Sequence, residues 1–315
     1  MLDGGMRRSP PRILTWHVHG SHLYYLSQLP DLFRAPVKPG RLEGYGGRCG
    51  GRSWPANLRE VDADHARDLG LGAIVFQSPG PYERDQRELL AAAPRALPRI
   101  HVEHDPPRAS QTGARHIADD TAVLLVHGTH FNVLMWDNGR TPAHVIRHGV
   151  AVAPDVHYSG EIARGLVVVD DLPRRAAGWG RSRRTSCRRS WRVRFFFNPI
   201  RCTSLGLAVC EAMAAGVPVV GLATTDMPCV IRNGVSVYIY TDMEKIARGM
   251  REILARLDRA KVLGEGARRC ASLHCSLKRF ARDRDLALAA AQLRAPHSEN
   301  RRAGGLNEQA DCAYK

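Results

Sequence analysis

Four short apolar, β-branched runs, RILTWHV (12–18), GAIVFQ (72–77), RIHVE (99–103) and AVLLVH (122–127), are bounded by Gly, Pro or polar clusters. They have the length and composition of strands buried on both faces. Helix-like pieces lie between them: SHLYYLSQL (21–29), and YERDQRELLAAA (82–93) opened by Pro81. Repeated strand, helix, strand predicts a doubly wound α/β unit, with ligands at the carboxyl ends of its strands. The loop GYGGRCGG (44–51) holds five glycines in eight residues and reads equally well as a flexible connection or a ligand cradle.

A second set follows the turn-rich APDVHYSG. It comprises strands at GLVVVDDL (165–172), RFFFNPI (194–200), VPVVGL (217–222) and VYIYT (237–241). TDMEKIARGMREILARL then starts with Thr241 and Glu244 in capping-box spacing, and Met243, Ile246, Met250, Ile253 and Leu257 form one apolar stripe, read as core. A last amphipathic helix is expected at 276–294 and a disordered tail at 296–315. The expected organisation is an N-terminal Rossmann-like domain over 12–158 and a C-terminal one over 159–295. The C-terminal one looks shortened. Residues 173–194 carry nine arginines without apolar periodicity, and the 37 positions from Val169 to Gly206 hardly exceed the roughly 30 residues of one βαβ unit. Strands GLVVV and FFF are therefore expected to lack neighbours.

One residue breaks the pattern of TSLGLAVCEAMAAGVPVVGL (203–222), a helix apolar nearly all round followed by a strand. Glu211 sits in its middle, and an unpaired carboxylate in a packed interior costs several kcal/mol or more, so a basic group, water or a ligand must meet it. Thr203 or Ser204 is expected to cap this helix, with Gly206 in its first turn and Gly216 and Pro218 ending it. Its free N–H groups suit a phosphate, and Glu211, two turns on, suits the hydroxyls of an attached sugar.

The net charge of +15 comes from 41 Arg and 5 Lys against 31 acidic residues. It suits an anionic partner, and is compatible with peripheral contact with an anionic membrane, but no nucleic-acid recognition motif accompanies it, so no specific nucleic acid is expected. Eight cysteines without CxxC spacing and without a signal peptide read as reduced thiols in a cytoplasmic protein. No apolar stretch approaches the roughly 18 to 20 residues of a membrane span. His17 and His19 in HVHGSH share a strand face, and with His104, Asp105, His127 and His130 they allow a metal-dependent hydrolase as an alternative. A Ser-His-Asp hydrolase lacks its G-x-S-x-G elbow.

At TSLGLAVCEAMAAGVPVV the sequence resembles the retaining, nucleotide-sugar-dependent glycosyltransferases of GT-B fold, family 4, whose phrase is similar to EPFGLVxxEAMAxGxPVV. MPCVIRNGVSVYIYTD (227–242), VEHDPPR (102–108) and VIRHGV (145–150) are similar to further phrases of that family. The resemblance implies two Rossmann-like domains facing a cleft, and sugar transfer from a nucleotide-sugar donor to a sugar or lipid-linked acceptor, with no cofactor and no bound metal. Glu211 then holds the ribose. Thr203, in place of the family's first glutamate, would face the donor sugar. Ser204, Leu205 and Gly206 at the helix start, with the Gly20-loop amides, would meet the diphosphate. Asp171 falls where an arginine is expected, leaving Arg174 and Arg175 as the nearest substitutes, and His104 is the candidate catalytic contact to the donor sugar. A catalytically inactive relative with the same fold is the alternative from a different class.

Overall fold

The structure, a computed structural model, describes residues 10–91, 96–107, 113–168 and 191–296. Its first sheet has seven parallel strands: β1 (Arg12–Thr15), β2 (Leu32–Val37), β3 (Leu58–Asp62), β4 (Ala73–Phe76), β5 (Arg99–Glu103), β7 (Val123–His127) and β9 (Ala143–Val145), in the order β3-β2-β1-β4-β5-β7-β9. β6 (Ala114–Arg115) and β8 (Trp136–Asp137) make a small separate pair. The four runs predicted as strands are β1, β4, β5 and β7. Three of them, β1, β4 and β7, have three or more consecutive buried residues, as strands covered on both faces should. β2 and β3 were not legible. LFRAPV is interrupted by Arg34 and Pro36, and LREVD lies at the sheet edge, where one face and one side stay wet.

The helix expected over 82–93 is shorter. A π turn, Pro81–Asp85, runs into a single α turn, Gln86–Leu89. The cause is local: the Gln86 N–H reaches back to the Pro81 carbonyl, while the Gln86 amide side chain takes the Tyr82 carbonyl that its backbone would otherwise use.

The second sheet has four parallel strands in chain order, β10 (Ile162–Leu166), β11 (Val193–Asn198), β12 (Val219–Leu222) and β13 (Val237–Tyr240). Two expectations need correction here. The strand predicted over 165–172 begins earlier and is described as Ile162–Leu166, residues 169–172 lying outside the described residues, and β11 is not without neighbours: Phe195 and Phe196 pair with β10, and Phe196, Phe197 and Asn198 with β12. Most of the Arg-rich run, with Arg174 and Arg175, lies outside the described residues. Its end does not. Trp191 is buried, and Arg194 within β11 donates to the Leu254 carbonyl at 2.9 Å, occupying the carbonyl end of the helix Met243–Ala255. That helix buries Ile246 and Ile253 and half-buries Met250 as the stripe predicts, but Met243 is exposed, and its cap is Asp242, whose carboxylate accepts from the N–H groups of Glu244 and Lys245, rather than Thr241.

The two sheets are joined twice. After the helix Leu257–His274 the chain returns to the first sheet, where Phe280, Ala287, Leu288 and Ala291 of the helix Leu277–Arg294 join the core around Ile100, Leu124 and Val126. Arg284 of this helix pairs with the buried Asp31. The two connections lie side by side: Val150 bridges Ser276, and the Val150 N–H donates to the Cys275 carbonyl at 2.8 Å. The tail predicted over 296–315 lies outside the described residues except for Pro296.

Candidate functional site

The order of the first sheet reverses between β1 and β4, and loops leaving the carboxyl ends of strands on either side of such a point form a crevice. Gln77, just past β4, is buried in that crevice, and its amide donates to Thr15 Oγ1 at 3.0 Å and to the Trp16 carbonyl at 3.2 Å. Its remaining oxygen accepts from His22 Nδ1 at 2.9 Å. His22 belongs to the short helix Gly20–Leu26 that starts directly after β1.

Four histidines from three chain segments meet here. The ring of His104, which follows β5, lies 4.6 Å from that of His19 and 4.5 Å from that of His22, and His148, in the loop after β9, is 5.2 Å from His22. Burial, with further depression from His148, takes His22 down to about 3, and burial followed by His19 takes His148 down to about 4. Burial also holds His104 well below the ordinary histidine range. These rings are neutral at pH 7, so they accept or donate single hydrogen bonds and do not act as cations. His19 and His104 also line an open groove of about 720 Å³ with Ser78, Asp105, Arg115 and Trp136.

The second sheet contributes from the other side. A Cβ added at Gly128 would stand 3.1 Å from Ser204 Oγ and 3.3 Å from His148 Nε2, so the segment before the helix Leu207–Ala214 abuts the histidine cluster at a residue that only a glycine fits easily. Neither Thr203 nor Ser204 caps this helix. Its N-cap is Gly206, in extended conformation with no side-chain bond, and an added Cβ there would meet nothing within 4 Å. Both hydroxyl residues are buried instead, as is Leu205, which packs in the second core. The predicted stop holds: Gly216 at φ +82° closes the helix, with its N–H on the Met213 carbonyl and that of Val217 on Ala212.

The partner of Glu211 is Tyr25. Its hydroxyl donates to Glu211 Oε1 at 2.6 Å from the helix Gly20–Leu26, across the junction of the two sheets, and its ring shares the core formed by Val209, Met213 and Val150. Burial raises the Glu211 carboxyl above its ordinary value, opposed by the Tyr25 bond and by the charge of Arg52. Arg52, just beyond the glycine loop, donates to Ser21 Oγ at 2.7 Å and lies over the Tyr24 ring.

His104 and Ser204 both approach His148, and Gly20 opens the helix that carries His22 and Tyr25. Of the histidines considered for a metal, His19 and His104 meet, but the full set does not. His17 Nδ1 donates to the Gly47 carbonyl at 2.6 Å, His127 Nε2 donates to Asn138 Oδ1 at 2.8 Å, and His130 is exposed. Asp105 is held at the backbone, where its N–H donates to Glu103 Oε1. Sequence reasoning missed His22, Tyr25, Gln77, His148 and Arg52. The i, i+3 spacing of His22 and Tyr25 in SHLYYLSQL is a signal that was available; nothing in the sequence pairs Tyr25 with a residue 186 positions away.

The family described as "Glycosyl transferases group 1" matches residues 191–256. No curated protein matches the chain significantly. Solved structures similar to it include a sucrose-phosphate synthase from Thermosynechococcus elongatus (13% identity, 90% of this chain and 99% of that one, TM-score 0.61). They also include HepE from Anabaena in complex with UDP and glucose (11%, 90% and 100%, 0.61) and a glycosyltransferase from Rickettsia africae (11%, 90% and 99%, 0.58). These likenesses establish the fold as GT-B, two Rossmann-like units facing a cleft.

Proposed function

We propose that the protein is a retaining glycosyltransferase of family 4 type that moves a sugar from a nucleotide-sugar donor to a sugar or lipid-linked acceptor hydroxyl in the cytoplasm, without a cofactor or a metal requirement. The observation that carries the reading is the group 1 match over residues 191–256, which contains the helix Leu207–Ala214 and Glu211, met there by Tyr25. The UDP and glucose of the HepE complex make a uridine nucleotide the first donor to test.

On this reading residues 12–158 face the acceptor and 159–295 bind the donor, with the last helix returning to cover the first sheet. The bond between the anomeric carbon and the diphosphate oxygen breaks, the acceptor hydroxyl oxygen bonds to that carbon, and the hydroxyl proton passes to the departing diphosphate, on which charge grows. The exposed N–H groups beyond Gly206, the Gly20 amide and Arg174 and Arg175 would meet that charge, as oriented dipoles and cations in a cleft do. Glu211 would accept from the two ribose hydroxyls in exchange for the phenol of Tyr25. Ser204 and Thr203 would lie beside the donor, Leu205 contributing backbone. His104, neutral, would hydrogen-bond a hydroxyl of the transferred sugar at the head of the groove.

The test is release of sugar from a panel of nucleotide sugars by the purified protein, alongside calorimetric titration with UDP. UDP binding with sugar release supports the reading, and no affinity for any nucleotide overturns it. A second reading, an inactive relative, is favoured by the four strands of the second sheet among the described residues, and predicts nucleotide binding without turnover.

A further inference from the structure

We propose that His22, His104 and His148 form a site for a divalent transition metal ion of the zinc type, which ties the helix Gly20–Leu26 to the ends of β5 and β9. The three residues each offer one nitrogen, and these nitrogens lie within 4.8 Å of one another. Tetrahedral zinc at about 2.0 to 2.1 Å from each nitrogen needs them roughly 3.3 Å apart, so the ion would draw the rings together by up to about 1.5 Å.

Two observations separate this cluster from histidines that happen to be close. The first is tautomer control. Gln77 is fixed through both amide protons, by Thr15 Oγ1 and the Trp16 carbonyl, so its oxygen takes the proton of His22 Nδ1 and leaves the lone pair on His22 Nε2. A ligating histidine is oriented in this way, its second nitrogen donating to a fixed acceptor. The second is satisfaction. His104 Nε2 and His148 Nδ1 are buried and have no hydrogen-bond partner among the described residues, and nitrogens desolvated without a partner are costly. A cation would use both.

Of the three ligands, His104 also lines the groove, beside His19, which stacks edge-on against it. Water or a ligand oxygen from the groove would complete the tetrahedron. The inference rests on the histidine geometry and not on the transferase reading; an ion bound at His104 Nε2 would take that nitrogen from a sugar hydroxyl, so the proposed transfer is a reaction of the ion-free protein.

The test uses the full-length protein stripped with chelator and then titrated with Zn²⁺ by calorimetry and with Co²⁺ by visible absorption. The expected result is one ion per chain, with the intense visible bands of tetrahedral Co²⁺ and displaced ring-nitrogen resonances for His22, His104 and His148. His104→Ala should abolish the bands, and Gln77→Leu should weaken binding about 10- to 100-fold, the usual effect of losing an orienting partner. His17→Ala controls for the other pairing, Cys49 Sγ near His17, and should change nothing. No stoichiometric binding, or bands that persist in His104→Ala, overturns the site. The ring resonances of the unmutated protein decide the matter even where a variant misfolds, because shifts confined to other histidines refute it. UDP titration in chelator, run separately, reports on the transferase reading alone.

Discussion

Replacing Tyr25 by Phe removes one oxygen and leaves the ring in the shared core, so it isolates the bond to Glu211. A hydrogen bond to a charged group contributes about 1.5 to 3 kcal/mol. In the free protein that bond holds the carboxylate. If a ribose must displace the phenol, Tyr25→Phe relieves the nucleotide of that competition, and about 1.5 kcal/mol corresponds to roughly a tenfold lower Kd for UDP. The same substitution should lower unfolding free energy by a similar amount, because the half-solvated carboxylate loses its nearest donor. The pH dependence has a definite sign. Burial raises Glu211 above its ordinary 4.5, so the folded protein holds that proton to higher pH than the unfolded chain does. The stability associated with this proton is complete below 4.5 and declines as pH rises through the folded value. Glu211→Gln, a neutral isostere, should therefore raise Tm at pH 7 and give no gain at pH 4. Nucleotide affinity runs the other way, since ribose hydroxyls favour the carboxylate: UDP binding should strengthen as pH rises through the same window in the natural protein and stay flat in Glu211→Gln. Calorimetry from pH 4.5 to 8, paired with thermal unfolding, reads both. An unchanged or higher Kd for UDP in Tyr25→Phe would refute the displacement argument.

Gly206→Ala places a methyl in open space, so the unfolding free energy should stay within about 0.5 kcal/mol of the natural protein, while UDP affinity falls if the diphosphate sits on that turn; equal affinity removes the assignment. Arg284→Ala leaves Asp31 buried without its cation and should cost about 3 to 5 kcal/mol in urea unfolding. Ile253→Ala, at a fully buried position between the second sheet and its helix, should cost about 2 to 5 kcal/mol by the same measurement. Hydrogen exchange should find the amides of Phe196 and Phe197 slow, since β11 is paired on both sides, and those of Arg164 and Gly165 on the edge strand fast.

The parts of the fold that were legible are those where one local rule acts alone. Buried strands such as AIVF and VLLVH announce themselves by composition, and Gly216 ends its helix because only a residue tolerant of positive φ makes that turn. Where two local rules compete, the sequence misleads. Asp242 outbids Thr241 for the same helix start, and Gly206 takes the cap that two neighbouring hydroxyls could have provided. The site was legible by halves. Glu211 announced that something must meet it, but its partner is a long-range contact. The histidines of HVHGSH drew attention to the right stretch through the wrong pair, because His17 turns to the glycine loop and His22, one turn into the helix, faces the cleft.

The side-by-side pairing of the two connections at Val150 and Cys275 has a mechanical meaning. Two covalent tethers that attach at one place act as a single pivot: the halves can swing about it but have little freedom to slide or twist apart. The contact of Tyr25 with Glu211 and that of Gly128 with Ser204 lie away from the tethers in sequence and act as the clasp of this hinge. A molecule that took Glu211 from Tyr25 would release one contact of that clasp while leaving the Tyr25 ring in the shared core, and any swing that followed would turn about the point the chain itself fixes.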